Sequence, residues 1–205
     1  MLTHGWTGKT WACYQGYIHS TGNILLFTDA DTTHSHCTLS LSFQYFLSNK
    51  LNALTLVLRL RSEDFWTRLI LPVLWTLSYA RYSPQKANDP GTRNGGYFFG
   101  SFFMISRDTY EAIGTHERVR AEIVEDVELG RMVKELGLRS QVVRGEHHVT
   151  SRFIMGWTKK TNDSHVSERK GKCYSNYHQY ISHAASAIYL FNNLDYVEPC
   201  LSFEY

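Results

Sequence analysis

Two aspartates, Asp29 and Asp31, directly follow a continuous apolar run in the stretch NILLFTDAD. In open α/β sheets, ligands bind beyond the carboxyl ends of the strands. Two carboxylates in such a turn can share a divalent cation, and Mg²⁺ is typically held by one or two carboxylates together with substrate phosphates. Aspartate is also common in turns and helix caps. The pattern therefore predicts either a metal site or a capped turn, and the buried strand before it favours the metal site.

A second pair of acids, Glu125 and Asp126, opens a predicted helix at 123–136. Acidic side chains at a helix N-terminus are stabilised by the helix dipole, so the pair is explained by capping alone. The alternative is a general base that reaches a substrate hydroxyl. Taken alone, the pair does not decide between these interpretations.

Lys9 lies in the sequence Gly8-Lys9-Thr10, which resembles the end of a phosphate-binding loop. The complete pattern requires a glycine where this chain has Thr3, so a nucleoside triphosphatase is disfavoured. A helix is predicted at 11–18 from the spacing of its apolar residues. A lysine at the start of that helix can meet a phosphate, because helix N-termini favour anions. The alternative is a solvated lysine.

Histidines also cluster near the aspartates. His34, His36 and Cys37 follow Asp31, and a histidine pair stands at 147–148. These residues suggest a zinc site and hence a metal-dependent hydrolase. Their spacing does not place two histidines one helical turn apart, so surface or hydrogen-bonded histidines are the favoured interpretation. The four cysteines form no zinc-finger spacing either.

Helices and strands alternate along the 205 residues, which predicts one α/β domain with a mostly parallel central sheet flanked by helices. The net charge of +2 gives no argument for a nucleic-acid partner. The segment 158–205 is predicted to be a polar segment followed by a tail of uncertain structure. Helices are predicted at 11–18, 38–49, 63–80, 107–114 and 123–136, strands at 24–27, 53–60, 97–106 and 140–145, and a loop at 82–96.

Three motifs in order along the chain resemble family 2 glycosyltransferases with the GT-A fold. They are GWTGKTWACYQGYIHSTGNILLFTDAD, NGGYFFGSFFMISRDTYEAIG and EIVEDVELGRMVKELG. The similarity covers 5–157 and is strongest to the membrane-associated branch with ceramide-glucosyltransferase-like and carotenoid- or hopanoid-associated enzymes. It implies a partial GT-A domain, Rossmann-like, at 1–157. It also implies transfer of a sugar from a nucleotide-sugar donor, a UDP-sugar by expectation, to a hydroxyl acceptor of lipid or polyisoprenoid character.

The resemblance assigns the donor side of the site. Lys9 is expected near the nucleotide or diphosphate, and Asp29 close to the donor. Asp31 is the expected direct ligand, with Asp29 beside it, of a Mg²⁺ or Mn²⁺ ion that acts as a Lewis acid on the leaving diphosphate. Gly95 and Gly96 match a glycine-containing strand that approaches the sugar.

The resemblance also assigns the acceptor side. Asp126 matches the aspartate of the family's ED motif and is expected to take the proton from the acceptor hydroxyl, which predicts inversion at the sugar. Glu125 and Gly100 are expected beside the acceptor.

The sequence SRFIMGW stands where many relatives carry a Q/R-x-x-R-W motif. Here Gly156 replaces the arginine before the tryptophan. Arg152 therefore remains a candidate for contacting the donor diphosphate, and Trp157 is expected on the acceptor side.

The family's first strand, with an aspartate that reads the base, is expected before residue 5, and its C-terminal transmembrane helices are not seen. The sequence thus predicts a GT-A domain without its N-terminal strands. The alternative function is a non-catalytic fragment or a partner subunit of a split enzyme, with a separate chain supplying the N-terminal half. The mix of Trp, Leu and Arg at 63–80 fits either an interfacial helix or a helix packed on the sheet. No N-terminal signal sequence is visible. The expected location is the cytoplasmic face of a membrane.

Overall fold

The computed structural model describes residues 4–62, 65–152 and 189–190. The helices are α1 (Gly8–Ile18), α2 (Thr38–Ser48), α3 (Phe65–Arg81), α4 (Pro84–Asn88), α5 (Arg107–Ala112), α6 (Thr115–Arg118) and α7 (Glu125–Glu135). The strands are β1 (Ile24–Phe27), β2 (Thr32–His34), β3 (Ala53–Val57), β4 (Arg59–Arg61), β5 (Phe103–Ser106), β6 (Ser140–Arg144), β7 (Val149–Arg152) and β8 (Tyr189–Leu190). The predicted α/β alternation is confirmed, and the predicted loop at 82–96 contains the short helix α4.

The central sheet has five strands in the order β6-β3-β5-β1-β8. The prediction of a mostly parallel sheet is wrong for the pairing of these strands, since β3–β6 is parallel whereas β1–β5, β3–β5 and β1–β8 are antiparallel. The physical reason is the position of β5. It runs between β1 and β3, so these two strands point the same way without touching. The carboxyl ends of β1, β3 and β6 therefore still meet at one edge of the sheet.

The apolar runs are explained by burial on both faces of this sheet. Leu25 and Phe27 of β1 pack on one face with residues of α1, α5 and α7, whereas Leu26 packs on the other face with α2. All five residues of β3 are buried. Side chains alternate across a strand, so a strand covered on both sides needs apolar residues at every position.

The predicted strand at 53–60 divides into two strands that lie in different sheets. After β3 the chain leaves the central sheet, and β4 joins a three-stranded sheet with the order β2-β7-β4. In that sheet β4 pairs in parallel with β7, and β2 pairs with β7 in the antiparallel sense. The small sheet thereby joins the segment after β1 to the segment after β3 through β7, which lies between them.

The predicted strand at 97–106 is correct only in its last four residues, which form β5. Thr55 of β3 explains the difference. Its hydroxyl accepts a hydrogen bond from the Phe99 N–H at 2.9 Å and donates one to the Phe102 carbonyl at 2.9 Å. This side chain satisfies backbone groups that a strand would have paired. The segment before β5 is therefore a loop held against the sheet.

Candidate active site

The turn that carries Asp29 and Asp31 lies between β1 and β2 and is held by buried polar contacts. The Thr28 hydroxyl donates to the Ser101 carbonyl at 2.9 Å, and its oxygen lies 2.9 Å from Nε2 of His34. Because the hydroxyl proton is used by Ser101, we assign the Nε2 proton to His34, which donates to Thr28. The Thr32 N–H donates to the Asp29 carbonyl at 3.2 Å. The turn is thus tied to β2 and to the loop before β5.

Lys9 is presented by the first turn of α1. Thr7 caps this helix, since its hydroxyl accepts from the Thr10 N–H at 3.2 Å. The same turn is also bonded to a residue far away in the sequence. The Thr7 N–H and the Thr10 hydroxyl both donate to the Arg120 carbonyl, at 2.9 and 2.8 Å. The start of α1 is therefore fixed near the segment that leads into α7.

The ammonium group of Lys9 lies between two carboxylates. Its Nζ is 3.0 Å from Oδ1 of Asp29 and 2.9 Å from Oε1 of Glu125. The Glu125 side chain is only 5% exposed, whereas those of Lys9 and Asp29 are each 30% exposed. Burial lowers the pKa of Lys9, but the carboxylates of Glu125, Asp29 and Asp126 more than offset this, so the net pKa lies above its usual value. Lys9 is therefore a fixed positive charge.

Asp126 completes this group, and we call Lys9, Asp29, Glu125 and Asp126 the charged cluster. Oδ2 of Asp126 accepts from the Gly100 N–H at 2.6 Å, and Oδ1 accepts from the Val127 N–H at 2.9 Å. Burial raises the pKa of Asp126, and the negative charge of Glu125 raises it further. Lys9 and the two N–H donors lower the same pKa. The net result is a carboxylate that is more basic than usual. Asp126 lies in the first turn of α7, where the helix dipole favours an acid, and its role as a general base stays a prediction.

A side chain at Gly100 would displace the charged ends of two members of the cluster. A Cβ at this position would lie 2.9 Å from Oδ2 of Asp126 and 2.9 Å from Nζ of Lys9. The sequence-predicted residues Lys9, Asp29, Glu125, Asp126 and Gly100, which come from four separate parts of the chain, thus meet at one place.

An apolar cleft of about 400 Å³ has Asp126 among its lining residues. It lies between α3 and the loop that precedes β5. We call it the aromatic cleft. It is lined mainly by aromatic and aliphatic side chains, which include Trp75, Tyr79, Tyr82, Tyr97, Phe98 and Phe99. Burial raises the pKa of Tyr97 to about 12, so its hydroxyl stays neutral. The cleft can therefore hold an apolar molecule with one end beside a basic carboxylate.

The remaining predicted site residues lie in varied surroundings. Asp31 is exposed on the turn before β2. Gly96 packs against α7, where a Cβ would come within 2.3 Å of the Gly130 carbonyl oxygen, and Gly95 has a positive φ of 84°. Arg152 is the last residue of β7 and follows Ser151, which pairs with Thr32 of β2. Trp157 lies outside the described residues. Close packing explains Gly96, and a donor contact by either glycine stays a prediction.

The donor set of the turn fits a divalent cation that arrives with a diphosphate. Asp31 is exposed and Asp29 is partly so, which supplies the one or two carboxylates that Mg²⁺ typically takes from a protein. Within 4–62, 65–152 and 189–190, no group of three or more His, Cys, Asp or Glu side chains is placed to hold a metal ion. His34 bonds to Thr28, and burial lowers its pKa. The described residues therefore give the hydrolase hypothesis no histidine metal centre.

Comparison with known proteins identifies the family. The model of the glycosyltransferase like family 2 matches residues 1–172, and the chain belongs to this family of sugar-transferring enzymes. Its mixed α/β architecture agrees with the GT-A-like fold expected from the sequence.

Among the curated proteins, the chain is similar to 4,4'-diaponeurosporenoate glycosyltransferases of Staphylococcus aureus. Those of strains USA300 and Newman are each 27% identical over 166 residues, which is 75% of this chain and 43% of the relative. The chain thus spans less than half the length of these curated relatives. The expected resemblance to a carotenoid-associated branch is confirmed.

Several contributing residues were missed in the sequence. Thr28 and Ser101 hold the Asp29 turn, and their bond joins positions far apart in the chain, so no local pattern marks it. His34 was considered only as a zinc ligand, and its bond to Thr28 was not predicted. The aromatic cleft did leave a signal. The run Tyr97 to Phe99 stands directly before Gly100, so apolar side chains next to a predicted site glycine were visible.

Proposed function

We propose that this chain transfers a sugar from a UDP-sugar to the hydroxyl of a lipid-like acceptor, with inversion at the anomeric carbon. One observation carries the proposal: Asp126 belongs to the charged cluster and also lines the aromatic cleft. An acceptor with an apolar body fits the cleft, and its hydroxyl would then lie at a carboxylate whose pKa is raised. The two halves of a group-transfer site thus share one residue.

In the proposed reaction, Asp126 accepts the proton of the acceptor hydroxyl. The oxygen forms a bond to the anomeric carbon, and the bond from that carbon to the diphosphate breaks, with its electron pair leaving on UDP. The Gly100 N–H holds Oδ2 of Asp126 and so fixes the direction of the carboxylate. Lys9 and Glu125 contribute charge and position beside it.

Asp31 and Asp29 are the residues that would hold Mg²⁺ or Mn²⁺. The ion, when bound, neutralises charge on the leaving diphosphate. Lys9 would contact the same diphosphate. In the structure it pairs with Asp29, so this contact requires its side chain to exchange partners. Arg152 is the further candidate for that anion.

The test is UDP release with a panel of UDP-sugars and long-chain alcohols, together with identification of the product anomer. Asp126→Asn should abolish transfer while UDP still binds, as measured by calorimetry with Mn²⁺. Asp108→Asn, the same change at an exposed position in the first turn of α5, is the matched control and should retain activity. Transfer that survives Asp126→Asn, or a product with retained configuration, would refute the assignment.

Metal dependence is tested separately. UDP binding should weaken with EDTA and in Asp31→Asn. If transfer instead required a second chain, activity would appear only after that chain was added, which is the split-enzyme alternative.

The proposed location is the cytoplasmic face of a membrane, with α3 at its surface. No helix in the described part of the chain is long and apolar enough to span a bilayer. On α3, Phe65 is 71% exposed and Leu77 is 62% exposed, with Trp66, Leu69 and Val73 also exposed. Apolar and aromatic side chains of this kind bind the interfacial region of bilayers. Flotation with vesicles should carry the chain upward, and Leu69→Gln/Leu77→Gln should weaken this.

A further inference from the structure

A second cavity of about 550 Å³ lies between β4 and the N-terminal half of α3. Arg59, Arg61 and Arg68 all line it, and we call it the arginine cavity. Arg68 Nε donates to the Ser62 carbonyl at 3.3 Å. Across the described ranges, none of these three guanidinium groups forms an ion pair with a carboxylate. The neighbouring acids at 63–64 fall outside those ranges. Three positive charges thus line one cavity without a described counter-ion.

The arginine cavity and the aromatic cleft are neighbours that share lining residues. Leu60, Leu71 and Trp75 line both of them. The three arginines line only the arginine cavity, Asp126 lines only the aromatic cleft, and the shared residues are two leucines and a tryptophan. This combination of surfaces matches a molecule with an anionic group, an apolar body and a reactive group.

We propose that the arginine cavity binds the carboxylate or phosphate group of a single-chain amphiphile whose apolar part lies in the aromatic cleft. This deepens and rests on the proposed function, because it restricts the acceptor to anionic amphiphiles. Guanidinium groups suit this role, since their forked N–H donors match carboxylate and phosphate oxygens. The arginines lie on two elements, β4 and α3, so the anion would be contacted from two sides.

Octyl phosphate and octanol, both kept below the concentration at which they aggregate, test the proposal by calorimetric titration into the full chain. Octyl phosphate should bind about tenfold more tightly, the gain expected of about one charge-assisted hydrogen bond. Arg59→Gln/Arg61→Gln should remove this preference while octanol binding is retained. Arg68→Gln is a second, independent variant and should reduce the preference.

The matched control is Arg139→Gln. Arg139 is exposed at the opposite end of β3, where its carbonyl accepts from the Asn52 N–H. This variant should retain the full preference for octyl phosphate. Equal affinity for the two probes, no binding of either, or a preference unchanged in the Arg59→Gln/Arg61→Gln variant would each overturn the proposal. Arginine-dependent binding to phosphatidylglycerol vesicles without any preference for monomeric octyl phosphate would also overturn it, in favour of a bilayer headgroup.

The binding assay needs no donor, so it separates this proposal from the proposed function. Asp126→Asn should abolish transfer and leave the preference for octyl phosphate intact. A chain that shows the preference but transfers no sugar would refute the proposed function alone. A chain that transfers sugar equally well to neutral and anionic acceptors, with no arginine dependence, would refute the arginine cavity alone.

Discussion

Replacing Lys9 with methionine removes the ammonium group between Asp29 and Glu125 and keeps a side chain of similar length. Three carboxylates of the charged cluster then face one another without their cation. The perturbation is informative because the cluster brings α1, the turn after β1 and α7 together. We expect the folded state to lose stability at neutral pH.

The size of the expected stability loss follows from how far the two carboxylate partners of Lys9 are exposed to water. Removing one partner of a fully buried ion pair costs about 3–5 kcal/mol, because the other charge remains buried alone. The Glu125 side chain is 5% exposed and so approaches that limit, whereas Asp29 is 30% exposed and is screened by water. Because one of the two ion pairs is buried and the other is screened, we expect Lys9→Met to lower the free energy of unfolding by about 2 kcal/mol at pH 7.

The loss should depend on pH in a defined direction. Burial raises the pKa of Asp126, and Lys9 partly opposes that rise, so the pKa rises further without Lys9. A carboxyl group whose pKa is higher in the folded than in the unfolded state destabilises the fold above its folded pKa. This penalty is relieved as the pH falls through that value. The deficit should therefore be largest near pH 8 and smaller at about pH 5.

Urea denaturation followed by far-ultraviolet circular dichroism measures this at both pH values. Lys86→Met, which removes an exposed lysine of α4, is the matched control and should change the free energy of unfolding by less than about 0.5 kcal/mol. Lys9→Met/Glu125→Gln should recover part of the loss. A Lys9→Met protein as stable as the parent, or a deficit that grows on acidification, would refute the electrostatic reasoning.

Three further predictions concern close packing and buried hydrogen bonds. Gly100→Ala places a Cβ 2.9 Å from the flexible ends of two side chains of the charged cluster, so transfer should fall about 100-fold while denaturation shows little change. Gly130→Ala instead places a Cβ 2.4 Å from the backbone of Tyr97, which cannot yield, so urea denaturation should reveal a loss of about 3 kcal/mol. Tyr110→Phe leaves the buried His116 N–H and Nδ1 without their partner, at a cost of about 1–3 kcal/mol in the same measurement. Full activity of Gly100→Ala or full stability of the other two variants would contradict these expectations.

The sequence predicts helices and strands well where the spacing of apolar residues within one short segment identifies the element. The buried strand at 24–27 and the helices α1, α2 and α7 agree with prediction because their burial patterns repeat within a few residues. The division of 53–60 between two sheets could not be read in this way, because the pattern stays apolar while the partners change. The start of β5 was similarly hidden, since a threonine on another strand satisfies backbone groups of the preceding residues.

The site shows the same contrast between local and distant information. Asp126, Lys9 and Gly100 were each predicted, because ordered motifs identify residue types along the chain. Their mutual contacts depend on how α1 and α7 lie across the sheet, which no motif states. The pairing of Lys9 with Glu125 and the arginine cavity therefore appear only in the folded molecule.

The position of β5 between β1 and β3 has a consequence for how the chain folds during synthesis. Until residues 103–106 leave the ribosome, β1 and β3 lack the strand that each of them borders in the finished sheet. Contacts between distant residues of this kind slow folding, because the intervening chain must first be closed into a loop. The strands that precede β5 thus expose apolar edges for the time that translation takes to pass this point, and chaperones that recognise extended apolar segments can bind them during that time.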